Sequence, residues 1–266
     1  MSVNKYKFLD GVNEWGEKQH IHTLNGKYLN GTSSVLSILN KPLTWWAAGL
    51  AVKELGWTNP KETERDERII AASTKLSEIK GLGDDAYLAL LDKAYRAHAS
   101  TLGKSATKGT GLHETLERFC KGEKLTDKEL ELINPFVQWS KANVKRFIAS
   151  EGYCYSEEHW LGGIVDLLFE DNEGRIAIMD FKSAKAAYFS HFLQCSLYDI
   201  EISENGIVDK NGNKVYKLEK PISYYAVFPF GMEKPAPQVF LDTEEAKIAA
   251  LAALQLYRIN KKYEKQ

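Results

Sequence analysis

Hydrophobic and polar positions divide the chain into a mainly helical first part and a second part in which strands dominate. Near the N-terminus, Gln19-His-Ile-His-Thr-Leu leads into Asn25-Gly26, a strong two-residue signal for a type I′ turn, and Lys27-Tyr-Leu follows. A hairpin is predicted there. Ser33 to Asn40 reads as a capped helical turn and Pro42 to Val52 as a second helix. Residues 59–80 and Asp84 to His98 carry helical patterns. From about Lys104 to Lys121 a helix presents Leu112, Leu116 and Phe119 as one apolar stripe, and a further helix is predicted at roughly 126–149. The period then changes to two. Tyr153–Glu157, Gly163–Glu170 and Arg175–Lys182 predict three strands, the last two joined by Asp171-Asn-Glu-Gly. A helix at 188–201, a small hairpin at Asp209-Lys-Asn-Gly, a strand from Ile222 to Phe228 and a helix from Thr243 to Lys262 complete the pattern. The fold class predicted is α/β or α+β in one domain.

Composition narrows the function classes. The chain has 266 residues, 44% hydrophobic, with 35 Lys+Arg against 36 Asp+Glu. That hydrophobic fraction and near-zero net charge exclude a disordered chain. No apolar run approaches the ~18 residues of a membrane span. The start, Met1-Ser-Val-Asn-Lys-Tyr-Lys, lacks the apolar stretch of a signal peptide, so a cytoplasmic protein with no membrane partner is expected. Cys120, Cys154 and Cys195 stand far apart with no CxxC pair, which argues against a disulfide framework, a zinc ribbon or a four-cysteine iron–sulfur cluster. The charge balance speaks against a wholesale basic coat. A local basic groove beside an acidic metal site stays open, because the two cancel in the sum.

The candidate chemistry lies on the predicted strands. Asp180 and Lys182 share one face of an apolar strand, while Met179 and Phe181 go to the other. The strand before it carries Asp166. If Asp171 pairs with Arg175, Asp166 lies opposite Asp180. Two facing carboxylates repel, and burying them unpaired costs several kcal/mol each. A divalent cation removes that cost, and hard oxygen ligands suit Mg²⁺ or Mn²⁺ rather than zinc. Lys182 beside such an ion can orient or deprotonate a water and screen charge on a phosphate. Taken alone, an Asp-x-Lys on a strand is an ordinary surface ladder. His113, with Glu117 one helical turn on, is likewise an ordinary polar pair by itself. Gly109 and Gly111 in the same helix point to close backbone approach by a neighbour or ligand. His20 and His22 share a strand face but have no third ligand nearby, so they read as strand-surface histidines. Trp45 and Trp46 read as packing aromatics.

In combination the pieces are more specific. The order is G-T-x-x-H-x-x-x-E, then Glu151, then G-G-x-x-D, then D-F-K-S, then Gln194-x-x-x-Tyr198. This resembles the PD-(D/E)XK nucleases, and within them the RecB-like, phage-type exonuclease branch. The His-x-His-x-x-Asn-Gly hairpin followed by Ser33-Ser-Val-Leu-Ser-Ile-Leu is similar to the opening of phage-encoded exonucleases. The resemblance implies a central mixed sheet flanked by helices, with 1–103 as N-terminal hairpin and helical cap and 104–266 as catalytic core. It implies His113, Asp166, Asp180 and the Phe181 carbonyl as ligands of Mg²⁺ or Mn²⁺, and Lys182 as the catalytic lysine. Glu117 and Glu151 would act one step from the metal or through water. Gln194 and Tyr198 would brace the active-site helix or contact the nucleic-acid backbone. Ser183 keeps the hydroxyl of the family's D-x-K-T pattern, whereas Leu36 replaces a threonine. The cysteines that mark iron–sulfur members are missing, so no iron–sulfur cluster is expected. The activity implied is metal-dependent exonucleolytic hydrolysis of DNA. The partners implied are DNA and a single-strand-annealing or other recombination protein. Lys104, Lys108 and Lys185 are candidates to track phosphates, and Tyr188, Phe189 and Phe192 to stack bases. A structure-specific endonuclease and a non-catalytic DNA-binding scaffold are the alternatives.

Overall fold

The computed structural model describes residues 5–12, 18–40 and 43–264, and the side chains of all of these except 12, 18, 19, 104–108 and 110. The chain opens with β1 (Tyr6–Val12) and β2 (Lys18–Leu24), paired antiparallel, and β2 turns at Asn25-Gly26 into β3 (Lys27–Tyr28). Both turn residues have positive φ, 52° and 77°, as a type I′ turn requires. β1 has no counterpart among the predicted elements. β4 (Asn30–Gly31), the one-turn helix α1 (Thr32–Val35) and a 3₁₀ turn (Leu36–Leu39) follow. Next come α2 (Thr44–Lys53), α3 (Arg65–Lys80), α4 (Asp84–Tyr95), α5 (Ala97–Cys120) and α6 (Asp127–Asn143). The remainder alternates: β5 (Val144–Ser156), β6 (Leu161–Asp171), β7 (Ile176–Lys182), α7 (Phe189–Asn205), β8 (Ile207–Val208), β9 (Lys214–Tyr216), β10 (Ile222–Pro229), β11 (Gln238–Phe240) and α8 (Thr243–Tyr263).

α6 starts on a capping box in which the Thr126 hydroxyl accepts from the Glu129 N–H and the Glu129 carboxylate accepts from the Thr126 N–H. It ends at Asn143, six residues short of the predicted end. Val144, Phe147 and Ile148 instead belong to β5, where pairing with β6 overrides a helical reading. Two register shifts, between Val144 and Arg146 and between Phe147 and Ala149, blur the period-two signal there.

By contact the chain divides into two compact units, residues 1–40 with 109–266, and residues 41–108. The N-terminal hairpin therefore belongs with the sheet. The second unit holds α2, α3, α4 and the start of α5, and a Lys93–Glu54 ion pair at 2.6 Å links two of its segments. Trp45 in this unit is 90% exposed and Trp46 is also exposed, so the expectation of two packing aromatics does not hold.

In the first unit the main sheet runs β11-β10-β7-β6-β5-β8-β9, with β4 joined to β6. It is mixed: β10 with β7 and β4 with β6 are parallel, and the other pairs are antiparallel. Helices cover both faces. One core joins Leu168, Ile176 and Ile178 of the sheet to Phe192 and Leu197 of α7 and Ala250 of α8. The other joins Leu167, Phe169, Met179 and Phe181 to Ile133 and Phe136 of α6 and to Leu112 and Leu116 of α5, with Phe119 packed against it. The predicted α5 stripe is thus the one that meets the sheet. Among the described residues no helix is long and apolar enough to cross a membrane.

Candidate functional site

One edge of β6 is shared by two strands that do not meet. β7 pairs with it from Glu170 back to Leu167, and β4 pairs with it only at Leu161 and Gly162. Between them the edge of β6 from Gly163 to Asp166 opens into a cleft of about 570 Å³. Two glycines make this arrangement possible. A Cβ on Gly162 would lie 2.6 Å from the Cβ of His22, and one on Gly163 would lie 2.6 Å from both Thr32 Oγ1 and the Tyr198 ring. A side chain at either position would force these neighbours to shift. Gly109 and Gly111, expected to mark close approach, have nothing within 4 Å of a built Cβ. The close packing falls on the Gly-Gly of β6 instead.

Three acids form a row across three adjacent strands. Leu167 pairs with Met179, so the register carried one step further sets Asp166 against Asp180, and the Asp171 N–H bonds the Arg175 carbonyl as expected. On the other side, Ser150–Leu167 and Gly152–Val165 bracket Glu151 against Asp166. Glu151 has φ 50° within a strand, a left-handed backbone that a side chain adopts only under constraint. Asp166 Oδ2 accepts the Phe181 N–H at 2.7 Å, bridging the point where β6 and β7 part.

His113 reaches this row from α5. Its Nε2 lies 2.9 Å from the Phe181 carbonyl, to which Nε2–H donates. Its Nδ1 then faces Glu151 Oε1 and Asp166 Oδ1, both at 3.6 Å. A ring nitrogen anchored on a backbone carbonyl, with the other aimed at carboxylates, is the orientation that a metal-ligating histidine takes. At the end of β7, Lys182 Nζ donates to Asp180 Oδ1 at 2.8 Å and to Gln194 Oε1 of α7 at 3.2 Å, and Gln194 Nε2 donates to the Tyr198 hydroxyl at 2.8 Å. Gln194 and Tyr198 therefore hold the lysine.

Charge and burial explain the ionisation of the site. Burial depresses the His113 imidazole, but Asp166, Glu151 and Asp180 outweigh it and raise it to about 9. Burial pushes Asp180 up, with Asp166 adding to the rise and Lys182 opposing it, to about 6. Burial also raises Asp166, against the pull of His113 and Lys182. For Lys182, burial lowers the ammonium but Asp180 and Asp166 together raise it, so it stays protonated. Three acids thus face His113 and Lys182, and among the described residues Asp180 Oδ2 is buried with no hydrogen-bond partner.

The donor set fits a hard divalent ion. One ligand atom from each of His113, Glu151 and Asp166 lies within 4.8 Å of the other two. Bonds of about 2.0–2.6 Å put ligand atoms about 3–5 Å apart. This grouping departs from the expected one. Glu151, expected a step away, stands beside His113 and Asp166. Asp180 is engaged by Lys182, and the Phe181 carbonyl by His113.

Other expected residues are not brought in. The Glu117 carboxylate accepts from Lys121 on its own helix and does not line the cleft. Ser183 is exposed beyond the end of β7, also outside the lining. The side chains of Lys104 and Lys108 lie outside the described residues. Lys185, Tyr188 and Phe189 are exposed, whereas Phe192 is core. His20 and His22, expected as strand-surface histidines, both line the cleft, and His20 is exposed and paired with Asp10 at 3.7 Å. His22 is buried, 2.7 Å from the Tyr6 hydroxyl, and burial lowers it to about 4. Sequence reasoning missed Lys261 and Tyr257 of α8, which line the cleft, and for them the helical pattern holds no signal. It also missed Glu201, fully buried behind the Gly-Gly segment, where it accepts from Thr32 Oγ1 at 2.5 Å and Cys154 Sγ at 3.0 Å. A charge three residues after Tyr198 on the same helical face was the available sign. No protein-family model matches the chain, and no curated protein matches it.

Proposed function

We propose that the chain is a divalent-metal-dependent deoxyribonuclease of PD-(D/E)XK type, acting on DNA ends or single strands. The observation that carries this reading is the row Glu151–Asp166–Asp180 over adjacent strands, met by His113 from α5 and by Lys182 at the end of β7, which Gln194 of α7 holds. A scaffold without chemistry has no need to bury Asp180 with one oxygen unpartnered among the described residues. The exonucleolytic preference comes from the resemblance in motif order.

His113, Glu151 and Asp166 would hold Mg²⁺ or Mn²⁺, with Asp180 beside them. Such an ion, when bound, polarises a phosphoryl oxygen and supplies a nucleophilic water at neutral pH. The protein's own groups do the rest. The Phe181 carbonyl fixes the His113 ring so that Nδ1 faces the carboxylates. Gln194, itself held by Tyr198, aims the Lys182 ammonium along the row. There it orients the attacking water and offsets negative charge that builds on the phosphate. Its partners Asp180 and Asp166 keep it protonated, which favours charge stabilisation over proton abstraction. The cleft along β6 gives a strand access to the row.

End-labelled single- and double-stranded DNA, incubated with Mg²⁺, Mn²⁺ or a chelator, tests the reading. Cleavage that needs the metal supports it, and full cleavage in chelator or none in either metal overturns it. Circular single-stranded DNA left intact assigns end dependence. Its cleavage makes the enzyme an endonuclease.

A further inference from the structure

Among the described residues that line the cleft, the carboxylates are Glu151 and Asp166, which stand together beside His113. The lining beyond them has a different character. Ser33 and Ser34 bring hydroxyls, and Lys261 of α8 brings an ammonium. Lys261 Nζ lies 3.4 Å from the Tyr257 hydroxyl and 5.4 Å from the centre of that ring. Among the described residues it has no carboxylate partner.

This part of the cleft is rigidly built. The Asn30 backbone N–H and side-chain Nδ2–H both donate to the Trp160 carbonyl at 3.1 Å. Thr32 is buried and donates to Glu201, while Ser33 and Ser34 stay exposed. The segment joins β6 at Gly162, four residues from Asp166. At about 3.3 Å per residue the separation along β6 is about 13 Å. That is several times the ~3.4 Å axial spacing of phosphates along one duplex strand. Neutral and cationic donors on the cleft wall, set away from the carboxylates, suit a second anion of the same polymer.

We infer that Ser33, Ser34 and Lys261 hold a backbone phosphate of the DNA strand whose scissile bond lies at the acid row. The inference rests on the nuclease reading above and adds the residues that bind the strand away from the reacting bond. Such a contact acts alike in ground and transition states, so it appears in KM and leaves kcat.

Steady-state cleavage of a labelled single-stranded oligonucleotide in Mn²⁺ at several salt concentrations tests it, with Lys261→Ala, Ser33→Ala/Ser34→Ala and Lys262→Ala as variants. Lys262 is exposed and does not line the cleft. Lys261→Ala should raise KM several-fold with kcat within about twofold. It should also flatten the slope of log KM against log salt by about 0.7, one counterion on a single strand. The double serine variant should raise KM with little change in slope. Lys262→Ala should do neither. An oligonucleotide with one uncharged methylphosphonate linkage, moved along the strand, should find a position that weakens the wild type but not Lys261→Ala. Wild-type KM and slope in Lys261→Ala, or equal effects in Lys262→Ala, would overturn the phosphate site and leave the nuclease standing. A wild-type protein that cleaves nothing in either metal would remove both.

Discussion

Lys182 Nζ donates to Asp180 Oδ1 at 2.8 Å, and the other oxygen of that carboxylate, Oδ2, is buried without a hydrogen-bond partner among the described residues. A buried unpartnered acceptor costs about 1–3 kcal/mol. The lysine thus satisfies half of a carboxylate that the surrounding strands desolvate on every side. On the reading proposed above, a divalent ion held by His113, Glu151 and Asp166 beside this carboxylate would offset part of that cost.

Removing the lysine separates its two roles. Lys182→Ala should slow cleavage by roughly 10²-fold, the scale of positioned polar assistance, while Mn²⁺ affinity stays within a few-fold of wild type. Without metal the variant should also be less stable by about 3–5 kcal/mol, because Asp180 is left as an uncompensated buried charge. Single-turnover cleavage and denaturant unfolding in chelator measure both. A wild-type cleavage rate would return Lys182 to a plain structural ladder.

Glu151 offers a trade between stability and activity. Its φ of 50° is strained for a side-chain-bearing residue and free for glycine. Glu151→Gly should therefore be as stable as wild type or more stable by about 1 kcal/mol, while metal affinity and cleavage fall at least about tenfold. Loss of stability in this variant would mean that the carboxylate holds the strand rather than serving the site.

Glu201 predicts a pH dependence of stability. Burial lifts it from 4.5 to about 8, with the bonds from Thr32 and Cys154 opposing the rise. The folded state therefore binds this proton more tightly than the unfolded chain. Its stabilising effect is complete below about pH 4.5, declines as pH rises, and is gone above about pH 8, with a full span of roughly 5 kcal/mol. Glu201→Gln mimics the protonated form. Its stability relative to wild type should grow from near zero at pH 4.5 to several kcal/mol at pH 8. The same difference at both pH values would show that Glu201 is ionised in the fold.

Much of the site was legible because strand spacing is rigid. Asp180 and Lys182 two apart, and the short loop after Asp171, fix which face and which register they take. The grouping of His113 with Glu151 was harder to read, because it depends on a left-handed residue in β5 that no local pattern announces. β5 itself was partly hidden, its first residues reading as the tail of α6 until β6 pairs with them. The glycines show the same limit. Gly109 and Gly111 were conspicuous inside a helix, yet it is Gly162 and Gly163 that touch neighbours, since their partners His22, Leu29, Thr32 and Tyr198 come from segments distant in sequence that no local pattern announces. Gly163→Ala should accordingly cost about 1–3 kcal/mol by overpacking against Thr32 and Tyr198, while Gly109→Ala should stabilise by up to about 1 kcal/mol. Thermal unfolding of the two variants checks the contrast.

The central claim is that His113, Glu151 and Asp166 hold a divalent cation beside Asp180. Anomalous scattering from crystals soaked in Mn²⁺ tests it most directly. The account predicts a peak in the cleft with His113 Nδ1 and at least one carboxylate oxygen of Glu151 or Asp166 within about 2.0–2.6 Å, and its loss in Asp166→Asn. A cleft without the peak at saturating Mn²⁺, or an ion bound equally in Asp166→Asn, would contradict it.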